Sequence, residues 1–183
     1  TRLTGLKGSR VRPTLDRVRE SLFNILGQNF SGDYFLDWFG GSGAVGIEAL
    51  SRGAEKVVWA ENDRQAQKLI YANLEKCQFW NGEGESKSAN WVLLKMDALQ
   101  AVSVLEERSF QFDVVYIDPP FAEDLYEECL ITISKSKLLK VSSIVVVEHH
   151  HKNVIQKFYD KLQLMDQRRV GDTYLSLYSL KSS

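Results

Sequence analysis

Four places in the 183-residue chain carry side chains suited to holding a nucleotide or accepting hydrogen bonds. Gly41, Gly43 and Gly46 fall at the G-x-G-x-x-G spacing, with Ser42 between the first two. Directly after a strand, such glycines allow a tight turn, a close ligand and a close helix. Glu61 stands twenty residues past Gly41, where a carboxylate can accept hydrogen bonds from ribose hydroxyls, and Asn62 and Asp63 adjoin it. Asp97 follows a third apolar run, and Asp118-Pro119-Pro120-Phe121 follows a fourth. Each acid also has an ordinary reading: Glu61 as a solvated strand end, Asp63 and Asp97 as helix caps. Asp-Pro-Pro-Phe is harder to explain structurally, because two prolines remove two backbone donors and stiffen the chain after a central strand.

These residues need a scaffold that brings strand ends together, and the periodicity predicts one. Apolar runs at 34–39, 56–61, 91–95, 112–117 and 143–148 read as strands, separated by 3.6-residue patterns at 44–52, 63–77, 98–107 and 125–136. A further helix is expected over 153–161, and a hairpin over 163–170 and 173–180 turning at Gly171-Asp172. In front, Arg12-Pro13-Thr14 marks a helix start with Thr14 as cap. Leu15, Val18, Leu22, Ile25 and Leu26 continue that helix to residue 28. Alternating strands and helices imply an α/β fold: a mainly parallel seven-stranded sheet, helices on both faces, and an antiparallel C-terminal hairpin. In such sheets ligands bind beyond the carboxyl ends of the strands, where all four features lie. The expected organisation is one domain over 1–183, with a basic segment and helix (1–28) preceding the α/β core.

Composition excludes other classes. At 44% hydrophobic and 26% charged residues the chain reads as globular, and no apolar run approaches the ~20 residues of a membrane span. The net charge is -1, but the first twenty residues carry six basic side chains against Asp16 and Glu20, a local excess of four positive charges. That suits a polyanionic partner. Cys77 and Cys129 lack metal or redox spacing and read as free thiols. His149-His150-His151 is not a metal site on this reading, because consecutive side chains after a strand point in different directions.

The Asp37-x-Phe39-x-Gly41-x-Gly43-x-x-Gly46 pattern followed by Asp-Pro-Pro-Phe resembles class I S-adenosylmethionine-dependent amino-methyltransferases. More narrowly, the Arg12-Pro13-Thr14-x-Asp16-Arg17-Val18-Arg19-Glu20-Ser21-Leu22-Phe23-Asn24 block resembles the RsmD family, which methylates a guanine N2 amino group in small-subunit ribosomal RNA. The resemblance runs from about residue 8 to 180. It implies S-adenosyl-L-methionine held by Asp37, Phe39, Gly41, Ser42, Gly43, Glu61, Asn62, Asp97, Ala98 and Asp118. Glu61 would take the ribose and Asp97 the adenine amine; Asp37 would orient the loop or reach the cofactor's ammonium. Asp118, Pro119, Pro120 and Phe121 would be catalytic, with the Asp118 carboxylate and Pro119 carbonyl accepting from the target amine and Phe121 stacking on the base. Arg10, Arg12, Thr14, Arg17 and Arg19 would contact RNA. A monomer acting on ribosomal RNA or an assembling small subunit is expected, in a bacterial cytoplasm or, with a transit peptide removed ahead of Thr1, in an organelle. Three alternatives stay open: a nicotinamide dehydrogenase, an adenine-N6 methyltransferase, and an RNA-binding module with a vestigial cofactor site.

Overall fold

The computed structural model describes residues 12–82, 90–120 and 125–181, with side chains from Asp16 onward. In chain order the elements are α1 (Arg12–Leu26), β1 (Tyr34–Asp37), α2 (Ala44–Ser51), β2 (Lys56–Ala60), α3 (Arg64–Lys76), β3 (Trp91–Leu94) and α4 (Ala98–Glu107). They continue with β4 (Phe112–Ile117), α5 (Tyr126–Lys135), β5 (Leu139–His150), β6 (Phe158–Tyr159), β7 (Leu162–Val170) and β8 (Thr173–Leu180). One sheet contains all eight strands in the order β3-β2-β1-β4-β5-β8-β7-β6. The first five run parallel, and β8, β7 and β6 add antiparallel pairings.

Strand alternation divides the core into two layers. Leu36 on β1 and Trp38 just after it join one layer, with Val58, Val115, Ile117, Val145 and Val147 under α4 and α5. Phe35 joins the other, with Val57, Trp59, Val114, Tyr116 and Val146 under α1, α2 and α3. The central strands are therefore apolar on both faces, as a sheet covered on both sides requires.

Three expectations need correction. Among the described residues the sheet has eight strands rather than seven. The extra one, β6, occupies part of the expected helix at 153–161. A helix there would have grouped Val154 with Phe158, but these are 96% and 46% exposed, whereas Tyr159 is buried and pairs with Leu162. Docking on the hairpin edge outweighs a weak local pattern. The first helix begins at Arg12, two residues before Thr14, so Thr14 lies inside it and does not cap it. Pro13 is tolerated because a first-turn residue has no intrahelical N–H bond to lose. Finally, β5 extends well ahead of residue 143, with an irregularity in its pairing with β4 between Phe112 and Val114. Ser143 closes this irregularity: its hydroxyl donates to the Phe112 carbonyl at 2.6 Å and accepts from the Lys140 N–H at 2.7 Å.

Candidate active site

The glycine turn is held from beneath by Asp37. This carboxylate ends β1 at 2% exposure, and its Oδ2 accepts from the Gly46 N–H at 3.0 Å and from the Trp59 indole at 2.9 Å. Gly46 is required here, since a Cβ would lie 2.5 Å from the indole of Trp59. Gly43 precedes α2 at φ 74°, a left-handed conformation that favours glycine. Asp37 anchors the start of α2 and is not among the residues that line the pocket. Burial pushes its carboxyl up to about 8.

At the end of β2, Glu61 clamps the turn from above. Its Oε2 accepts from the Gly41 N–H at 2.8 Å and its Oε1 from the Asp63 N–H at 2.8 Å. The Gly40 N–H donates to the Ala60 carbonyl, and Asn73 donates to the Ser42 carbonyl. Asp63 caps α3 through Oδ1. Asp97 caps α4, and both of its bonds, from Leu99 and Gln100, fall on Oδ1. Thus the plain structural reading of Asp97 holds alongside its place at the pocket wall.

A cavity of about 290 Å³ opens between these strand ends. Phe39, Gly41, Glu61, Asn62, Asp97, Ala98, Asp118, Pro119 and Pro120 line it, so four separate strand ends meet as the sequence implies. Ser42 and Gly43 support the turn from outside the lining, and Phe121 lies outside the described residues. Ala60 and Leu125 also line the cavity and were missed. Ala60, next to Glu61, was within reach of the strand-end rule; Leu125 carries no local signal.

Behind the cavity lies an acid that sequence reasoning did not single out. Glu148, on β5, is 4% exposed and accepts a hydrogen bond from the Tyr116 hydroxyl on β4. Burial raises its carboxyl, partly offset by that bond. Asp118 shows part of its surface at the pocket wall. Burial of its carboxyl, then the charges of Glu148 and Asp37, push it well above the usual carboxylate range.

Of the expected RNA contacts, Arg17 is exposed on α1 and Arg19 is half-buried, 3.0 Å from Asp16. Arg10 and the side chains of Arg12 and Thr14 lie outside the described residues. His149 turns away from the other two and bonds Ser176 inside the fold, while His150 and His151 lie together with ring centroids 4.3 Å apart and His151 faces the Asp172 carbonyl. No metal-binding group of three or more such side chains occurs among the described residues. Cys77 and Cys129 are unpaired, and burial pushes the Cys129 thiol up to about 12.

The model of a family described as "Conserved hypothetical protein 95" matches residues 1–179. The "Ribosomal RNA small subunit methyltransferase D" of Haemophilus influenzae is 35% identical over 149 residues, 80% of this chain and 72% of that protein. A conserved hypothetical protein of Streptococcus pyogenes has a similar solved structure, with a TM-score of 0.77 at 29% identity over 89% of this chain and 95% of that one. A structure described as a methyltransferase complexed with SAH is similar at a TM-score of 0.69 over 89% of this chain and 48% of that one. At 15% identity, that likeness shows the fold alone.

Proposed function

The chain belongs to the Conserved hypothetical protein 95 family, the RsmD-type ribosomal RNA methyltransferases, and from that premise we propose that it methylates the N2 amino group of a guanine in small-subunit ribosomal RNA, with S-adenosyl-L-methionine as cofactor. The observation that carries the reading is the convergence of the glycine turn, Glu61, Asp97 and Asp118-Pro119-Pro120 on one cavity. The lining fits this cofactor. Carboxylates at two edges suit ribose hydroxyls and an adenine amine, the turn exposes backbone, and no described lining residue is cationic. When bound, the cofactor supplies a methyl group on a positively charged sulfur.

The chain's own residues supply position and charge. In this reading Glu61 binds the ribose, Asp97 the adenine amine through its Oδ2, and Phe39, Gly41, Asn62 and Ala98 form the walls. A guanine amine is a weak nucleophile because its lone pair is delocalised into the ring. The Asp118 carboxylate and Pro119 carbonyl accept its two N–H bonds, which turns the lone pair toward the methyl group. Proline has no N–H, so Pro119 and Pro120 offer acceptors without competing donors. Catalysis by such a site is mainly orientation and electrostatics. Phe121 stacks on the base once it has left its helix, a contact worth roughly 1–3 kcal/mol in comparable systems. Arg10, Arg12, Thr14, Arg17 and Arg19 hold the RNA backbone.

Labelled methyl transfer to unmodified small subunits and to naked RNA, followed by nucleoside analysis, tests this. The expected product is N2-methylguanosine; a different methylated nucleoside overturns the assignment.

A further inference from the structure

The acids behind the cavity are arranged in a way that methyl-group positioning does not require. β1, β4 and β5 are consecutive in the sheet, with Asp37 in register with Tyr116, and Ile117 with Val147. Alternation puts Asp37, Asp118 and Glu148 on the layer that holds Tyr116 and Trp59. Neighbouring strands are about 4.8 Å apart, so like charges there repel strongly.

Among the described residues the surroundings bring no compensating cation. From α1 the described inward side chains are Val18, Leu22 and Phe23, from α2 Ile47 and Leu50, and from β8 Leu175 and Leu177. Arg17 is exposed, Arg19 pairs with Asp16, and Arg52 pairs with Glu48. On β5, His149 turns to the opposite layer, toward Ser176. Trp59 and Tyr116 offer neutral donors, and the remaining nearby charge is Glu61, another acid. A cation can therefore come only from a ligand in the cavity or from residues outside those described.

We propose that Asp37, Asp118 and Glu148 form a buried acid group that reads the charge of the ligand: it holds protons when the cavity is free and releases one when a cationic ligand enters. The inference rests on the reading of the cavity as the S-adenosyl-L-methionine site. The raised carboxyl pKa values agree with it. Its consequence is a gate: Asp118 becomes an ionised acceptor for the target amine only beside a positive sulfur. S-adenosylhomocysteine, with the same adenosine, ammonium and carboxylate but a neutral sulfur, does not produce that state. Glu148 touches neither cofactor nor RNA in this scheme; it is a positioning residue that acts through the charge of Asp118.

Proton release on binding is measurable without turnover. Titration calorimetry at pH 6.5, in buffers of low and high ionisation enthalpy, counts the protons exchanged by S-adenosyl-L-methionine and by S-adenosylhomocysteine. The expected difference is about one extra proton released for the cationic ligand, with an affinity that rises with pH by up to roughly tenfold per unit. Glu148→Gln should lower the excess. Equal proton counts for the two ligands in the unmodified protein overturn the proposal, whatever the variant does. An unchanged excess in Glu148→Gln removes Glu148 from the group. If neither ligand binds, the cofactor reading itself fails and takes this inference with it.

Discussion

The strand β4 carries an aspartate near each end, and the two are treated in opposite ways. At the amino end, Asp113 accepts from Lys140 Nζ at 2.8 and 2.7 Å through its two oxygens, and from the Tyr34 N–H at 2.8 Å. Its side chain is 22% exposed, and that of Lys140 is 35% exposed. At the carboxyl end, Asp118 faces Glu148 and Asp37, both acids, and is pushed well up. A carboxylate that has its own cation is tied into the fold by that pair. One that has acids for neighbours instead is poised, and on this proposal its charge depends on what occupies the cavity.

The most damaging way to probe this contrast is Asp118→Ala. It should cut methyl transfer by roughly 100-fold or more while the cofactor still binds, as removal of a positioned transition-state contact does. Normal turnover in single-turnover assays would move Asp118 out of the chemistry and erase the difference between the two ends.

The pH dependence of stability comes next. Folded Asp37 keeps its proton up to about 8, whereas in the unfolded chain it ionises near 4. The folded state thus binds more protons between those values. The contribution is full below about 4 and is lost as pH rises through about 8, a change of order a few kcal/mol. Asp37→Asn should flatten the wild-type slope in denaturant midpoints, and Asp113→Asn should leave it in place. If both variants keep the slope, the buried acid at the carboxyl end is not its source.

Gly46→Ala attacks the joint that keeps Asp37 in place, because the new methyl meets Trp59 at 2.5 Å. A loss of about 1–3 kcal/mol in unfolding free energy is expected, with weaker cofactor binding. Lys140→Ala has the smallest expected effect. Its partly exposed pair is worth about 0.5–1 kcal/mol, and methyl transfer should be unchanged. A drop in activity there would mean that both ends of β4 serve the site.

Much of the cavity could be read from the chain because it is built at strand ends. A buried parallel strand announces itself as an apolar run, and the residue after it falls on the ligand side by topology alone. Gly41, Glu61, Asp97 and Asp118 all follow that rule, and their cavity positions match it. The rule fails where position depends on pairing. Asp37 also ends a strand, yet its direction depends on Trp59 and Gly46, so it points inward. The run at 153–161 has a helical period too short to resist docking on the hairpin, and it yields β6 instead.

By itself the sequence determined the order of elements through β5, the glycine turn, the acids at the strand ends and the Asp-Pro-Pro turn, since each is a local pattern of apolar periods and backbone constraints. Only the tertiary structure decided that Glu148 stands behind Asp118 with Tyr116 bonded to it. That juxtaposition depends on the register of β4 against β5 across an irregular pairing, and on which layer each side chain enters. Register is a long-range choice made by packing both faces at once, and no window of sequence contains it.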